Sequence, residues 1–278
     1  MSEHPYADLH IHTNHSDGQD TPEIVVKRAS ELGVAALSIT DHDQISANPI
    51  AESAAANTGI QYLHGTEITA RHEYLNVDVL GYGFDSTNLD LQNGLAAMQE
   101  ARRKRMEEML FRLDQACGIK IPYESLTSQD HDKVSLGRMH LALELKKLGI
   151  TRRTQEGFDR FLKAGRPAYV PAAAMSVTDA ITLVQSAGGL AFLAHPGLMK
   201  HVRKSLNTLL EYPFDGLEVF HISHSPGHTD AFLQIALERK LLVCGGSDCH
   251  GAIRDHANMG KIRLPFHHYE AICEALHR

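Results

Sequence analysis

The chain has 278 residues, 43% hydrophobic and 22% charged, with a formal net charge of -7. This is globular composition, long enough for one large domain or one domain with an insertion, and it lacks the broad basic field that duplex DNA binding needs. The four cysteines form no CxxC pair, which argues against a disulfide framework or zinc finger and suits a reducing cytoplasm.

Tyr6–Ile11 reads as a strand opening into His-rich sequence. Thr21-Pro22-Glu23 starts a helix, with an N-cap hydroxyl and proline at the first helical position, and Gly33 stops it. Ala35–Thr40 is an apolar strand, Pro49–Thr58 a helix, Gln61–His64 a strand leading to Gly65-Thr66-Glu67, and Leu75–Tyr82 a further strand. Leu89–Cys117 has a long amphipathic helix pattern bearing Arg102, Arg103, Lys104 and Arg105, a run most simply read as a solvated helix face. Leu136–Leu148 and Gln155–Ala164 are shorter helices, so 85–164 reads as a helical insertion.

The strand–helix rhythm then resumes. Thr178–Ala187 is a helix, Leu190–Ala194 a strand ending at His195-Pro196-Gly197, and Leu217–Phe220 a strand ending near His221 and His224. Ala231–Lys240 is a helix, Leu241–Gly245 a strand ending at Asp248-Cys249-His250, and His268–His277 the last helix. Repeated units of this kind predict an α/β fold with a parallel sheet or barrel, 1–84 and 165–278 forming its body. No apolar run is long enough for a membrane, no apolar signal core opens the chain, and a cytoplasmic protein is expected.

The chain carries 19 histidines, and their positions are informative. Residues two apart on a strand share a face, so His10 and His12 can reach one metal. Asp8 can orient an imidazole from behind. Asp17, in Ser16-Asp17-Gly18, reads as a hard-cation ligand or a plain turn residue. His42 follows the second strand, where Asp41 can orient it or cap a loop. Glu67 closes the next strand, with two oxygens able to bridge cations, and Asp78 points either inward or to the surface. His195 closes another strand; Asp248 and His250 repeat the two-apart pattern, with Cys249 turned the other way. Five strand ends bearing metal-type ligands, at the end of the strands where barrel active sites lie, point to a multinuclear metal centre.

DLHIHT, SDG, TDHD, GTE, HPG and GSDCHG resemble the successive motifs of the PHP (polymerase and histidinol phosphatase) family, over nearly the whole chain. The likeness is greatest to small bacterial members acting on nucleoside 3′,5′-bisphosphates and the 5′ ends of short RNA. It implies a distorted (β/α)7 barrel with a small helical insertion covering the site. It implies two or three divalent ions, Mn first, with Fe or Zn as alternatives. His10, His12, Glu67 and Asp248 would hold one ion, and Glu67 with His195 a second, where Asp78 replaces the histidine of many relatives. Asp17, His42 and His250 would hold a third.

Arg138 and His140 resemble an R-x-H motif contacting substrate phosphate, and Arg166 stands where the family usually places a lysine. Leu143 and Leu198 stand where bisphosphatase-like members tend to carry arginine. The implied reaction is attack on phosphorus by a hydroxide bridging the metals, with His224 or His195 protonating the leaving oxygen. The expected partner is a small phosphorylated substrate, first a nucleotide and then a short RNA end, with neither membrane nor duplex DNA. Cyclic-phosphate diesterases, histidinol-phosphate or other sugar-phosphate phosphatases, and a noncatalytic metal-binding module are the rival readings.

Overall fold

The computed structural model describes residues 4–126, 134–251 and 258–277. In chain order the elements are β1 (Tyr6–Asp8), α1 (Pro22–Glu31), β2 (Ala36–Leu37), α2 (Asn48–Ala55), β3 (Gln61–Tyr62), β4 (Gly65–His72), β5 (Leu75–Tyr82) and α3 (Leu89–Cys117). Then follow α4 (Arg138–Lys147), α5 (Thr154–Gly157) with a π turn (Phe158–Leu162), β6 (Met175–Ser176), α6 (Val177–Ser186), β7 (Leu190–Leu193) and α7 (Val202–Leu209). β8 (Gly216–His221), α8 (Pro226–Arg239), β9 (Leu242–Gly246), β10 (Leu264–Pro265) and α9 (Phe266–Leu276) come last, and short 3-10 turns stand at Tyr123–Ser125 and Pro196–Leu198. They form two compact units, one up to Leu95 and again from Ala174 onward, the other between Ala96 and Ala173.

The first unit is a mixed α/β structure. One sheet has the order β10-β1-β2-β3 and the other β6-β4-β5-β7-β8-β9. β1 and β2, β2 and β3, β7 and β8, and β8 and β9 pair in parallel, as the strand–helix rhythm predicts. β5 departs from that expectation: it pairs antiparallel with both β4 and β7. The cause is local. Only Glu73 and Tyr74 separate β4 from β5, Glu73 with φ of 49°, and a two-residue loop can join only antiparallel neighbours.

The apolar faces of the larger sheet pack with α6, α8 and α9 around Ile68, Val79, Leu80, Tyr82, Ile181, Phe192, Leu217 and Ile272, all buried. A second cluster joins β1 and β2 to α1 and α2 through Tyr6, Val25, Val26, Leu37, Ile39 and Ala51. Cys249 belongs to it, so its side chain does turn away from the ligand-type residues beside it. α1 begins as its sequence requires, with Thr21 Oγ1 accepting from Ile24 N and Pro22 at the first position. All four cysteines are free thiols. No helix among the described residues is long and apolar enough to cross a membrane.

The second unit is helical among its described residues, built around Met106, Met109, Leu113, Leu141, Leu145, Phe161 and Leu162. It starts and ends later than 85 and 164. Leu91 and Leu95, on the first turns of α3, belong to the core of the first unit, while Ala168 and Val170 pack into the second. The basic run on α3 is paired along its own helix: Arg103 with Glu100 and Glu107, Lys104 with Glu100. Arg105 Nε donates to Val170 O at 3.0 Å.

Candidate metal centre

His10 and His12 lie just beyond the ladder of β1, where the chain is held from both sides. Ser38 N donates to Asp8 O at 3.1 Å and Thr40 N to Ile11 O at 2.8 Å on one side. Leu9 N donates to Gly245 O, His12 N to Cys249 O, and Asp248 N to His10 O, at 2.8 to 3.1 Å, on the other. This double attachment keeps the segment extended and sends both imidazoles to one face, their Nε2 atoms 3.2 Å apart. Gly246 makes the approach of β9 feasible. A Cβ there would stand 2.3 Å from His10 N and 2.7 Å from an Asp8 carboxylate oxygen.

Glu67 occupies the centre. Its Oε2 lies 3.1 Å from His12 Nε2, 3.1 Å from His42 Nδ1 and 3.4 Å from His10 Nε2, while Oε1 lies 2.9 Å from His195 Nε2. Asp248 Oδ1 is 3.3 Å from His12 Nε2 and 3.7 Å from His10 Nε2. Asp17 Oδ1 is 3.1 Å from His250 Nε2 and 3.9 Å from both His42 Nε2 and His12 Nδ1. Asp78 turns inward, its Oδ2 3.8 Å from His195 Nε2, and groups with His42 and Glu67. The nine residues read from the sequence as ligand candidates thus converge in one place. Two carry backbone that non-glycine residues seldom adopt, His195 with φ of 25° and Asp248 with φ of 49°. Such conformations cost about 1–3 kcal/mol each and persist where neighbours over-determine them.

These residues fit divalent cations. The Nε2 atoms of His10 and His12, 3.2 Å apart, and Glu67 Oε2, 3.4 and 3.1 Å from them, crowd three donor atoms at a spacing one ion can bridge. Among the described residues, four groupings have donor atoms mutually close enough to hold an ion: His10, His12 and Glu67; His12, Asp17, His42 and His250; His42, Glu67 and Asp78; and His10, Glu218 and His221. Mixed imidazole and carboxylate donors suit Mn, Fe or Zn.

The electrostatics agree. Burial alone would lower each imidazole, but Asp248 and Glu67 raise His12 to about 10, and Glu67 with Asp78 raises His195 to about 9. Burial would raise the carboxylates, but the surrounding imidazoles hold Glu67, Asp17 and Asp248 well below their ordinary range. Protons occupy the cluster when metal does not, and ions must displace them to bind.

Of three supporting residues, Asp41 takes one of the two roles read from the sequence, and Asp8 and His224 take others. Asp8 does not face an imidazole: its Oδ1 accepts from Ser247 N at 2.8 Å, fixing the loop that carries Asp248 and His250. Asp41 caps the 13–16 loop, accepting from Thr13 N, Thr13 Oγ1 and Ser16 Oγ. His224 was expected to protonate a leaving group, but backbone engages both its ring nitrogens. Nδ1–H donates to Val219 O at 2.7 Å and Nε2 accepts from Gly197 N at 3.1 Å. Burial also lowers its pKa, so its proton stays on the nitrogen bonded to Val219.

Two site residues escaped the sequence reading. Glu218 bonds His10, and His221 Nε2 lies 3.5 Å from Asp248 Oδ2. A carboxylate inside the otherwise apolar strand Gly216–Phe220 was the available signal, because an unpaired charge is rarely buried there.

Arg138, His140 and Arg166 lie in the helical unit. Arg138 starts α4, with its guanidinium 5.7 Å from the Phe158 ring centroid and Nη1 donating to Leu162 O at 3.5 Å. His140 Nδ1 accepts from Gly137 N at 3.0 Å. Arg166 is exposed.

A family model described as PHP domain matches residues 8–164. A 3′,5′-nucleoside bisphosphate phosphatase of Chromobacterium violaceum is 32% identical over 247 residues, 87% of this chain and 86% of its own. A 5′-3′ exoribonuclease, Rnm, of Escherichia coli is 32% identical over 263 residues, covering 90% and 88%. A phosphoribosyl 1,2-cyclic phosphate 1,2-diphosphodiesterase of Eggerthella lenta is 30% identical over 261 residues, covering 93% and 98%. Among solved structures, a Bifidobacterium adolescentis protein assigned as a metal-dependent phosphoesterase superposes with a TM-score of 0.86 at 30% identity, covering 96% and 95%.

Proposed function

The chain belongs to the PHP domain family and is a metal-dependent phosphoesterase, and from that premise we propose that it hydrolyses a phosphate monoester, first a nucleoside 3′,5′-bisphosphate or the 5′ end of short RNA. The observation that carries the chemistry is Glu67, with imidazoles of three residues around one carboxylate oxygen and a fourth on the other. We assign His10, His12, Glu67 and Asp248 to one ion, Glu67, His195 and Asp78 to a second, and Asp17, His42 and His250 to a third. Divalent ions bound there supply Lewis acidity, lowering the pKa of water and neutralising charge on phosphoryl oxygens.

The chain's own residues supply position and charge. The double attachment of 9–12 fixes two imidazoles, and the strained turns at His195 and Asp248 aim two more ligands; a phosphate-binding role for Arg138 and Arg166 rests on the family resemblance of their motifs alone. His195 acts as a ligand rather than an acid, because the Nε2 that faces Glu67 cannot both bind a cation and carry a proton. The two bridges that join the sheets, Ile11 with Cys249 and His42 with Glu67, support reading the strands as a distorted barrel.

A cyclic phosphodiester is the second reading. Leu198 is 58% exposed where bisphosphatase-like relatives tend to place an arginine, which removes one charge from anion recognition. Phosphate release with manganese from adenosine 3′,5′-bisphosphate, a 5′-phosphorylated oligoribonucleotide and a cyclic nucleotide, assayed in parallel, separates them. Faster release from the first two supports the nucleotide reading. Cleavage confined to the cyclic ester transfers the assignment to the diesterases, and inactivity on all three moves the substrate to another phosphate class.

A further inference from the structure

Glu218 lies on β8, wholly buried, and both its oxygens accept N–H groups from site histidines. Oε1 is 2.8 Å from His10 Nδ1, and Oε2 accepts from His195 N at 2.6 Å. With a carboxylate at Nδ1, that nitrogen of His10 keeps its hydrogen, which leaves Nε2, 3.4 Å from Glu67 Oε2, as the nitrogen that would give up its proton to an ion. The second contact fixes the backbone of His195 at its φ of 25°, the conformation that brings its Nε2 to 2.9 Å from Glu67.

His10, Glu218 and His221 are mutually close enough to hold a cation by distance alone. That alternative is weaker. An ion there would have to break the His10–Glu218 hydrogen bond and take Nδ1, and Glu218 already receives a donor on each oxygen. We infer that Glu218 is a positioning residue that clamps His10 and His195 together, so that both present Nε2 to the ions held around Glu67. His221 plays a parallel part for Asp248. Ser223 N donates to its Nδ1 at 3.1 Å, which leaves Nε2–H facing Asp248 Oδ2.

The inference rests on the metal reading above, and the test separates the two. E218Q keeps the size of the side chain but offers one acceptor and one NH2, so only one of the two N–H groups can be satisfied. Calorimetric titration of metal-stripped wild type and E218Q with zinc and with manganese is expected to show binding about 10- to 100-fold weaker in the variant, together with a lower metal-free melting temperature, because ionised Glu218 stabilises the fold near neutral pH. Binding within twofold of wild type overturns the clamp. Should E218Q fail to fold, 15N–1H histidine spectra of zinc-loaded wild type decide: hydrogen on His10 Nδ1 with zinc on Nε2 supports it, and the reverse tautomer overturns it. A wild type that takes up neither zinc nor manganese removes the metal reading and this inference with it, whereas tight wild-type binding beside unchanged E218Q removes this inference alone.

Discussion

Replacing His10 or Asp248 by alanine removes a donor from the crowded part of the centre and leaves buried opposite charges uncompensated. Either variant is expected to retain no stoichiometric metal after gel filtration, by elemental analysis, and to lose turnover by at least about 1000-fold. Wild-type activity in either would sink the ligand assignment. Gly246→Ala tests the same contact without touching a ligand. Its Cβ would press on His10 N, and overpacking of this kind costs about 1–3 kcal/mol. The expected result is a melting temperature several degrees lower together with weaker metal binding; an unchanged melt and affinity would show that β9 can shift away. At this scale the sequence was most legible where a strand period repeats ligand types: His10 with His12, and Asp248 with His250. It was least legible for Glu218, because a supporting carboxylate has no spacing rule of its own. Its partner His10 is 208 residues away in the chain.

The strands that carry ligands were harder to read than those that only pack. β5, Leu75–Tyr82, and α3, Leu89–Cys117, have the bounds read from their patterns, because each follows one period without interruption. β4 runs for eight residues, yet only its opening Gly65-Thr66-Glu67 was noticed, as a strand end. Glu67, Arg71 and His72 interrupt its apolar alternation, and polar residues aimed at a site resemble a loop in sequence. β2 is shorter than Ala35–Thr40 suggests, because beyond Leu37 the chain leaves the ladder while still donating to Asp8 O and Ile11 O. α7 escapes a sequence reading because eight residues make barely two turns, although Val202, Leu206 and Leu209 repeat at helical spacing. The α4 element carries its own prediction. Arg138→Ala is expected to raise KM for a phosphate monoester about 10-fold or more, the loss of a charge-assisted contact, while metal content stays at the wild-type level. No change in KM or kcat would leave Arg138 with packing alone.

Across the whole molecule, the centre links folding, protons and metal. In the metal-free protein His12 and His195 are raised to about 10 and about 9 from an ordinary 6.5, by carboxylates that outweigh burial. A raised imidazole contributes stability that is fully present below 6.5 and lost as pH climbs through the folded value. Glu218 has the opposite sign. Burial would raise it, but His10 and His221 depress it to about 2, so its contribution is present above the ordinary 4.5 and lost only in strong acid. The window between pH 6.5 and 9.5 therefore isolates the histidines. In it the melting temperature of chelator-treated protein is expected to fall by about 5 °C or more. Protein loaded with stoichiometric metal should not follow that fall, because its ligating imidazoles are already neutral and cations take the place of the protons. The gap between the two melting curves should widen as pH rises, and calorimetric heats of metal binding near pH 7 should depend on the buffer's ionisation enthalpy, since binding expels protons. Parallel curves, or heats independent of buffer, would mean that the histidines around Glu67 do not exchange protons for metal, and the assignment of the centre would fall with them.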